Sequence, residues 1–266
     1  MSSITKTPLS GRRVVVTRAR DQAPSLSERL EALGADVIEL PVIRITREIS
    51  KEALADVMLE FASYDWLVFT SANGVRFFFE EFFRLFEDIR SLGFIRIACV
   101  GDGTSRELTS GLHLKVECQP VRATAEALAE ALIGTDSLDN AKVLVITGNL
   151  NRDTLVRKLE GARAIVDCLQ VYRTESADLA GTAAAADFCR RGADAILFTS
   201  SSSAEAFAGQ PASLAIGPGA RRPLAGSIGP QTSASMRKCG LTVDFEAEKP
   251  GLDGLLEALV SKIGPQ

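Results

Sequence analysis

The sequence predicts an α/β protein made of two similar lobes, each with a mostly parallel sheet. Three observations carry this. Short β-branched runs alternate with longer helical patterns, the order of elements in the first half returns in the second, and specific loop sequences return with it. With 266 residues, 46% of them hydrophobic and 24% charged, the chain holds enough apolar material for two such cores.

Arg12 to Thr17 (R-R-V-V-V-T) is short and β-branched, which predicts a strand. In Ala23–Leu33 the side chains of Leu26, Leu30 and Leu33 share one stripe, so the segment reads as a helix, and Gly34 stops it. Val37–Leu40 is a second strand. The same criteria predict helix Lys51–Phe61, strand Trp66–Thr70, helix Gly74–Phe86, strand Ile95–Val100, helix Thr104–Leu108, strand Leu114–Cys118 and helix Thr124–Ile133. The second half opens with strand Ala141–Thr147, helix Thr154–Leu159, strand Ile165–Tyr172 and helix Ala183–Arg191. Strand Ala195–Thr199, helix Ser203–Phe207, strand Leu224–Ile228, helix Thr232–Lys238, strand Leu241–Phe245 and helix Leu252–Val260 complete it.

The repetition reaches the residues. Leu67-Val68-Phe69-Thr70-Ser71 returns as Ile196-Leu197-Phe198-Thr199-Ser200. Val100-Gly101-Asp102-Gly103-Thr104-Ser105 returns as Ile228-Gly229-Pro230-Gln231-Thr232-Ser233, and Pro120 and Pro250 each precede a closing helix. Two divisions fit a duplicated chain. One cuts near Ser137–Asn140. In the other, the first β-α-β unit joins the final segments, with junctions at Pro41–Ile43 and Val171–Arg173. Periodicity does not choose between them.

Composition narrows the function. Lys plus Arg number 30 against 34 Asp plus Glu, a net charge of −4, so the basic excess of a general nucleic-acid binder is missing. No apolar run approaches a bilayer span, and Met1–Arg13 lacks the apolar stretch of a secretory signal. A cytoplasmic protein is expected. Five scattered cysteines without a C-x-x-C pair read as free thiols, most of them small core residues. With one histidine, His113, neither a zinc cluster nor a histidine-based triad is expected.

The repeated loops are the candidate site. Each Phe-Thr-Ser lies where a strand ends and a helix begins, and ligands in open α/β sheets sit beyond the carboxyl ends of strands. Ser71, Asn73, Ser200 and Ser201 would line such a site or simply cap helices. Gly101-Asp102-Gly103-Thr104 lacks the third glycine of a dinucleotide loop, and its repeat keeps only Gly229 and Thr232. A glycine after a strand and a threonine opening a helix suit backbone capture of carboxylates or phosphates. Arg18, Asn149 and Arg152 follow other strands in the same way. Tyr172 ends a strand at a proposed lobe junction, where a phenol can donate a proton into a cleft or pack with its hydroxyl satisfied.

Taken in order, the motifs resemble the uroporphyrinogen-III synthase family. V-V-V-T-R-A-R-D-Q-A, L-x-x-x-G-A-D-V-I-E-L-P-V-I, F-T-S-A-N-G-V, V-G-D-G-T-S, G-N-L-N-R-D, V-Y-R-T, F-T-S-S-S-S-A and I-G-P-Q-T-S-A run from about Gly11 to Val260. The usual T-R-P appears here as Thr17-Arg18-Ala19. The resemblance implies two flavodoxin-like lobes joined by a two-stranded connector, with residues 1–41 and 173–266 in one and 42–172 in the other.

It also implies an activity without metal or organic cofactor: ring closure of hydroxymethylbilane with inversion of the terminal pyrrole, through a spiro intermediate and with loss of water. Tyr172 falls on the family's junction tyrosine and is the catalytic candidate. Arg18, Ser71, Asn73, Gly101, Thr104, Asn149, Arg152, Ser200, Ser201, Gly229 and Thr232 fall on ligand-facing loops. The implied partners are the small-molecule substrate and a transient handover from hydroxymethylbilane synthase. No nucleic acid or membrane is expected, and a monomer is. Two alternatives stay open: a non-catalytic two-lobed sensor of tetrapyrroles or anions, and a nucleotide-dependent α/β enzyme resting on one incomplete glycine loop.

Overall fold

A computed structural model describes residues 7–20, 22–151, 153–210 and 214–265. The chain divides into two units, Met1–Ile45 with Glu175–Gln266, and Thr46–Thr174. In chain order, β1 (Arg13–Val16), α1 (Pro24–Ala32), β2 (Asp36–Glu39) and β3 (Ile43–Arg47) precede α2 (Lys51–Leu59), β4 (Trp66–Phe69), α3 (Ala72–Leu85), β5 (Arg96–Cys99) and α4 (Asp102–Arg106). Then come α5 (Ala125–Ile133), β6 (Lys142–Gly148), α6 (Thr154–Gly161), β7 (Ile165–Ser176), α7 (Ala183–Arg191) and β8 (Ala195–Phe198). The chain closes with α8 (Ser201–Ala208), β9 (Leu224–Ser227), α9 (Pro230–Lys238), β10 (Phe245–Glu246) and α10 (Leu252–Ile263). Among the described residues no helix is long and apolar enough to cross a membrane.

The first sheet has the order β2-β1-β8-β9-β10, and its neighbours are parallel. Numbered within the sheet, this is the flavodoxin-like order 2-1-3-4-5. The second sheet runs β3-β7-β6-β4-β5, with parallel pairs from β7 to β5. Counted from β6, it repeats 2-1-3-4, and Cys118, bridged to Ala98, stands in fifth place. Only β3 breaks the rule. Glu48 N–H bonds the Val171 carbonyl at 3.2 Å and Ala177 N–H the Val42 carbonyl at 2.8 Å, so β3 runs antiparallel to β7.

Both faces of each sheet are covered, which is why the strands are continuous β-branched runs. In the first unit Val15, Ile196, Phe198 and Phe188 belong to one core, whereas Val14, Val16, Leu197, Leu26 and Leu255 belong to the other. In the second unit Val68, Val143 and Val145 pack with Leu128, Leu132 and Leu155. Phe78 and Phe82 of α3 are fully buried and contact Phe61 at ring distances of 6.2 and 5.8 Å. Burying each such side chain stabilises the fold by about 1.5–3 kcal/mol.

Some sequence expectations need correction. Leu114–Cys118 is not a strand: only Cys118 forms a bridge. The Glu117 carboxylate takes the Ile97 N–H at 2.9 Å, a donor that a ladder would use, and His113 turns the chain with φ of 56°. Leu241–Phe245 shrinks to Phe245–Glu246 for the same reason, because the Asp244 carboxylate accepts from Ala225 N–H at 2.7 Å. The two fifth positions thus share one device. The helix expected at Thr104–Leu108 begins at Asp102 and passes into a π-helical turn, Glu107–Gly111. Pro41–Ile43 leads into β3 and Val171–Arg173 lies within β7, close to where the chain passes between the two units. Of the five cysteines only Cys99 and Cys118 are buried, so most are not the core residues expected.

Candidate active site

In the second unit, the carboxyl ends of β4, β6 and β7 converge on one phenol. Ser71 follows β4 and caps α3, its Oγ accepting from Gly74 N–H at 3.0 Å. The same Oγ lies 2.9 Å from the Tyr172 hydroxyl. Tyr172 belongs to β7, which is separated from β4 by β6, so the ring must pass over the end of β6. Two features allow this. The register shifts by one residue between Thr147 and Gly148, so Gly148 stands opposite Tyr172 and not Val171. Gly148 also carries no side chain: a Cβ there would fall 2.4 Å from Tyr172 Cζ and 2.9 Å from its hydroxyl. Phe77 stacks on the ring with its centroid 6.1 Å away.

This pocket sets the state of the phenol. Burial pushes the Tyr172 hydroxyl above its ordinary pKa, and the hydrogen bond to Ser71 opposes that only in part. Beside it, Gln170 bonds Glu48 at 2.8 Å and the Arg173 fork reaches the same carboxylate at 2.5 and 2.8 Å. Those bonds anchor the strand end, and the Arg173 contact holds the Glu48 carboxyl below its usual range.

The remaining candidates of this unit take distinct positions. Asn73 lies in the first turn of α3. Asn149 uses its amide on the backbone of Thr174, donating at 3.2 Å and accepting at 2.8 Å, so it extends the β6–β7 pairing. Gly101 caps α4 and would clash through a Cβ with that of Ala123 at 2.8 Å. Thr104, one turn on, is buried. Arg152 lies outside the described residues.

The first unit repeats this geometry. Ser200 caps α8 with φ −160° and ψ 157°, the same values as Ser71, and accepts from Ser203 N–H at 3.1 Å. Ser201 opens the helix and reaches the Gln231 carbonyl at 3.4 Å. Gly229 caps α9, its missing side chain facing Pro250 at 3.3 Å, and Thr232 is buried as Thr104 is. Arg18 follows β1 and reaches Gln22 at 3.4 Å. Its strand lies beside β8, so Arg18 and Ser200 flank the point where strand order reverses. Reading the sequence missed Phe77 and Gly148 as partners of Tyr172. A glycine closing a buried strand was the available signal.

The family model described as "Uroporphyrinogen-III synthase HemD" matches residues 24–257. A porphyrin biosynthesis protein HemD of Ruminiclostridium josui is 27% identical over 258 residues, 96% of this chain, which spans about half (49%) of that longer relative. A uroporphyrinogen-III synthase of Synechococcus elongatus is 30% identical, with 95% of this chain and 96% of the relative covered. Two solved structures share the fold at 18% identity. They are the Thermus thermophilus uroporphyrinogen III synthase, a mutant form (TM-score 0.64; 94% of this chain and 97% of that one), and the Helicobacter pylori uroporphyrinogen-III synthetase (0.61; 94% and 99%). These names give no support to the sensor alternative. With its repeated capping loops, its two flavodoxin-like sheets and a family match over most of its length, the chain belongs to the uroporphyrinogen-III synthase family.

Proposed function

We propose that this chain is a uroporphyrinogen-III synthase, a cyclising lyase that converts hydroxymethylbilane into uroporphyrinogen III and water. The observation that carries the reading is the Tyr172 phenol, held at 2.9 Å from Ser71 at the carboxyl end of the sheet, its pKa raised by burial.

The chemistry asks little of side chains. Departure of the terminal hydroxyl as water needs one proton, and the azafulvenium cation left behind is stabilised by its own pyrrole nitrogen. Ser71 Oγ already accepts from Gly74; by donating to the phenol oxygen it leaves the Tyr172 proton free for the leaving hydroxyl. The harder task is to hold the linear chain so that its terminal ring is attacked at the substituted carbon. That is catalysis by orientation, with modest acid assistance. Side-chain carboxylates of the substrate meet the helix-opening loops of the second unit at Ser71 and Thr104, mostly through backbone N–H groups. The protein works as a cytoplasmic monomer and receives its unstable substrate from hydroxymethylbilane synthase.

Incubation with hydroxymethylbilane made in situ, followed by isomer separation, tests this. The expected product is the type III isomer, formed faster than spontaneous closure. Type I alone, at the spontaneous rate, would end the proposal.

A further inference from the structure

The opposite strand ends of the first unit carry a concentration of charge that the proposed reaction does not use. Arg12 and Arg13 enter β1, Asp194 precedes β8, Arg221 precedes β9, Arg190 and Arg191 end α7, and Asp187 lies one turn before them. Arg13, Arg190, Arg191, Asp194 and Arg221 line a depression of about 390 Å³, and Arg12 and Asp187 pair with these residues.

The charges do not balance. Asp194, with its side chain 7% exposed, contacts Arg12 at 3.4 Å and also Arg221, and accepts from Arg13 N–H at 2.8 Å. Asp187 contacts Arg13, Arg190 at 3.1 Å and Arg191 at 3.6 Å. Asp36 approaches Arg13 Nε at 3.1 Å. Five guanidiniums therefore share three carboxylates, in a protein whose net charge is −4. Arg13 is mostly buried, and its Nη1 has no hydrogen-bond partner among the described residues. Its guanidinium is thus largely withdrawn from water and paired with Asp36 and Asp187, with the Nη1 donors left unmet.

The cluster is also fixed in place. Arg221 N–H bonds the Arg191 carbonyl at 3.2 Å, Ala193 N–H bonds the Arg221 carbonyl at 3.1 Å, and Gly217 N–H bonds the Cys189 carbonyl at 2.8 Å. Gly192, at φ 66°, permits this approach, since a Cβ there would lie 1.8 Å from the Arg221 carbonyl oxygen. Compensation of the α7 dipole, with i,i+3 and i,i+4 pairs to Asp187, accounts for Arg190 and Arg191. It does not account for Arg12, Arg13 and Arg221 gathering at the same end. Planar guanidinium forks in a fixed array match the oxygens of phosphate or carboxylate groups.

We infer that this depression binds a small multivalent oxyanion, one bearing two or more phosphate or carboxylate groups. It lies at the strand ends opposite those followed by Arg18, Ser200 and Gly229, and does not rest on the synthase reading.

Calorimetric titration of the full chain with inorganic pyrophosphate, with citrate and with acetate tests it. Pyrophosphate, citrate or both bind at one site per chain, and acetate does not; pyrophosphate alone identifies a phosphate site and citrate alone a carboxylate site. The exposed double variant R190Q/R191Q, and separately R221Q, each weaken binding by about tenfold or more, with the unfolding temperature checked for each. Absence of saturable binding by either polyanion, or affinity unchanged in both variants, overturns the site.

Discussion

The Tyr172 hydroxyl meets Ser71 Oγ at 2.9 Å across the end of a strand that belongs to neither residue. β6 lies between β7 and β4, and the phenol crosses it only because Gly148 has no side chain. Three adjacent strand ends therefore cooperate in one hydrogen bond.

Gly148→Ala should move the phenol without touching it chemically. The new methyl would need the space occupied by Tyr172 Cζ. Overpacking of this kind costs about 1–3 kcal/mol, and we expect the rate of type III formation to fall as far as in Tyr172→Phe. Steady-state rates and unfolding temperatures of the two variants check this; wild-type turnover in Gly148→Ala would show that the phenol's position does not matter.

Tyr172→Phe should lose about a hundredfold in rate while folding normally, the low end of acid assistance. Burial raises the phenol's pKa, so the neutral form prevails from pH 7 past its ordinary value, about 10. The ratio of wild-type to variant rate should stay flat between pH 7 and 9. A ratio that collapses within that window would mean a different titrating group is being read.

Ser71→Ala removes a helix cap and the partner of Tyr172 together. Ser50→Ala removes a cap, the one that accepts from Ala53 N–H at 3.2 Å, and a bond to Glu52, with no contact to the phenol. Each should cost about 1 kcal/mol of stability, seen by chemical denaturation. Only Ser71→Ala should also lower the rate, and equal rates would detach Ser71 from the mechanism.

Burial pushes the Cys99 thiol up to about 11. The thiol is therefore neutral in the folded protein where an unfolded chain would ionise it, at about pH 8.5. Its contribution to stability is complete below that value and is lost as pH rises towards 11. Alkylation of Cys99 at pH 8, followed by mass spectrometry, should proceed only at the rate of unfolding. Rapid labelling of the folded protein would contradict its burial.

The sheets were legible because their strands announce themselves: Val14–Val16, Leu67–Phe69 and Ile196–Phe198 are buried on both faces and contain no polar interruption. The fifth positions were not, since Glu117 and Asp244 substitute side-chain oxygens for ladder partners, and alternation cannot reveal that. β3 is short and follows Pro41, so its I-R-I-T-R alternation is hard to tell from a linker. At the candidate site the loop motifs stood out by repetition. The phenol's surroundings did not: a register shift and a bare glycine are visible only once β6 and β7 are paired.

The first sheet is assembled from the two ends of the chain, whereas residues 46–174 are continuous. On the ribosome, β1 and β2 emerge early but gain their partner β8 only after the whole middle unit has been translated. A nascent chain halted near residue 174 would hold one finished sheet and two waiting strands. Vectorial synthesis thus leaves the β8-facing edge of β1 open until late, an edge that chaperones can meet.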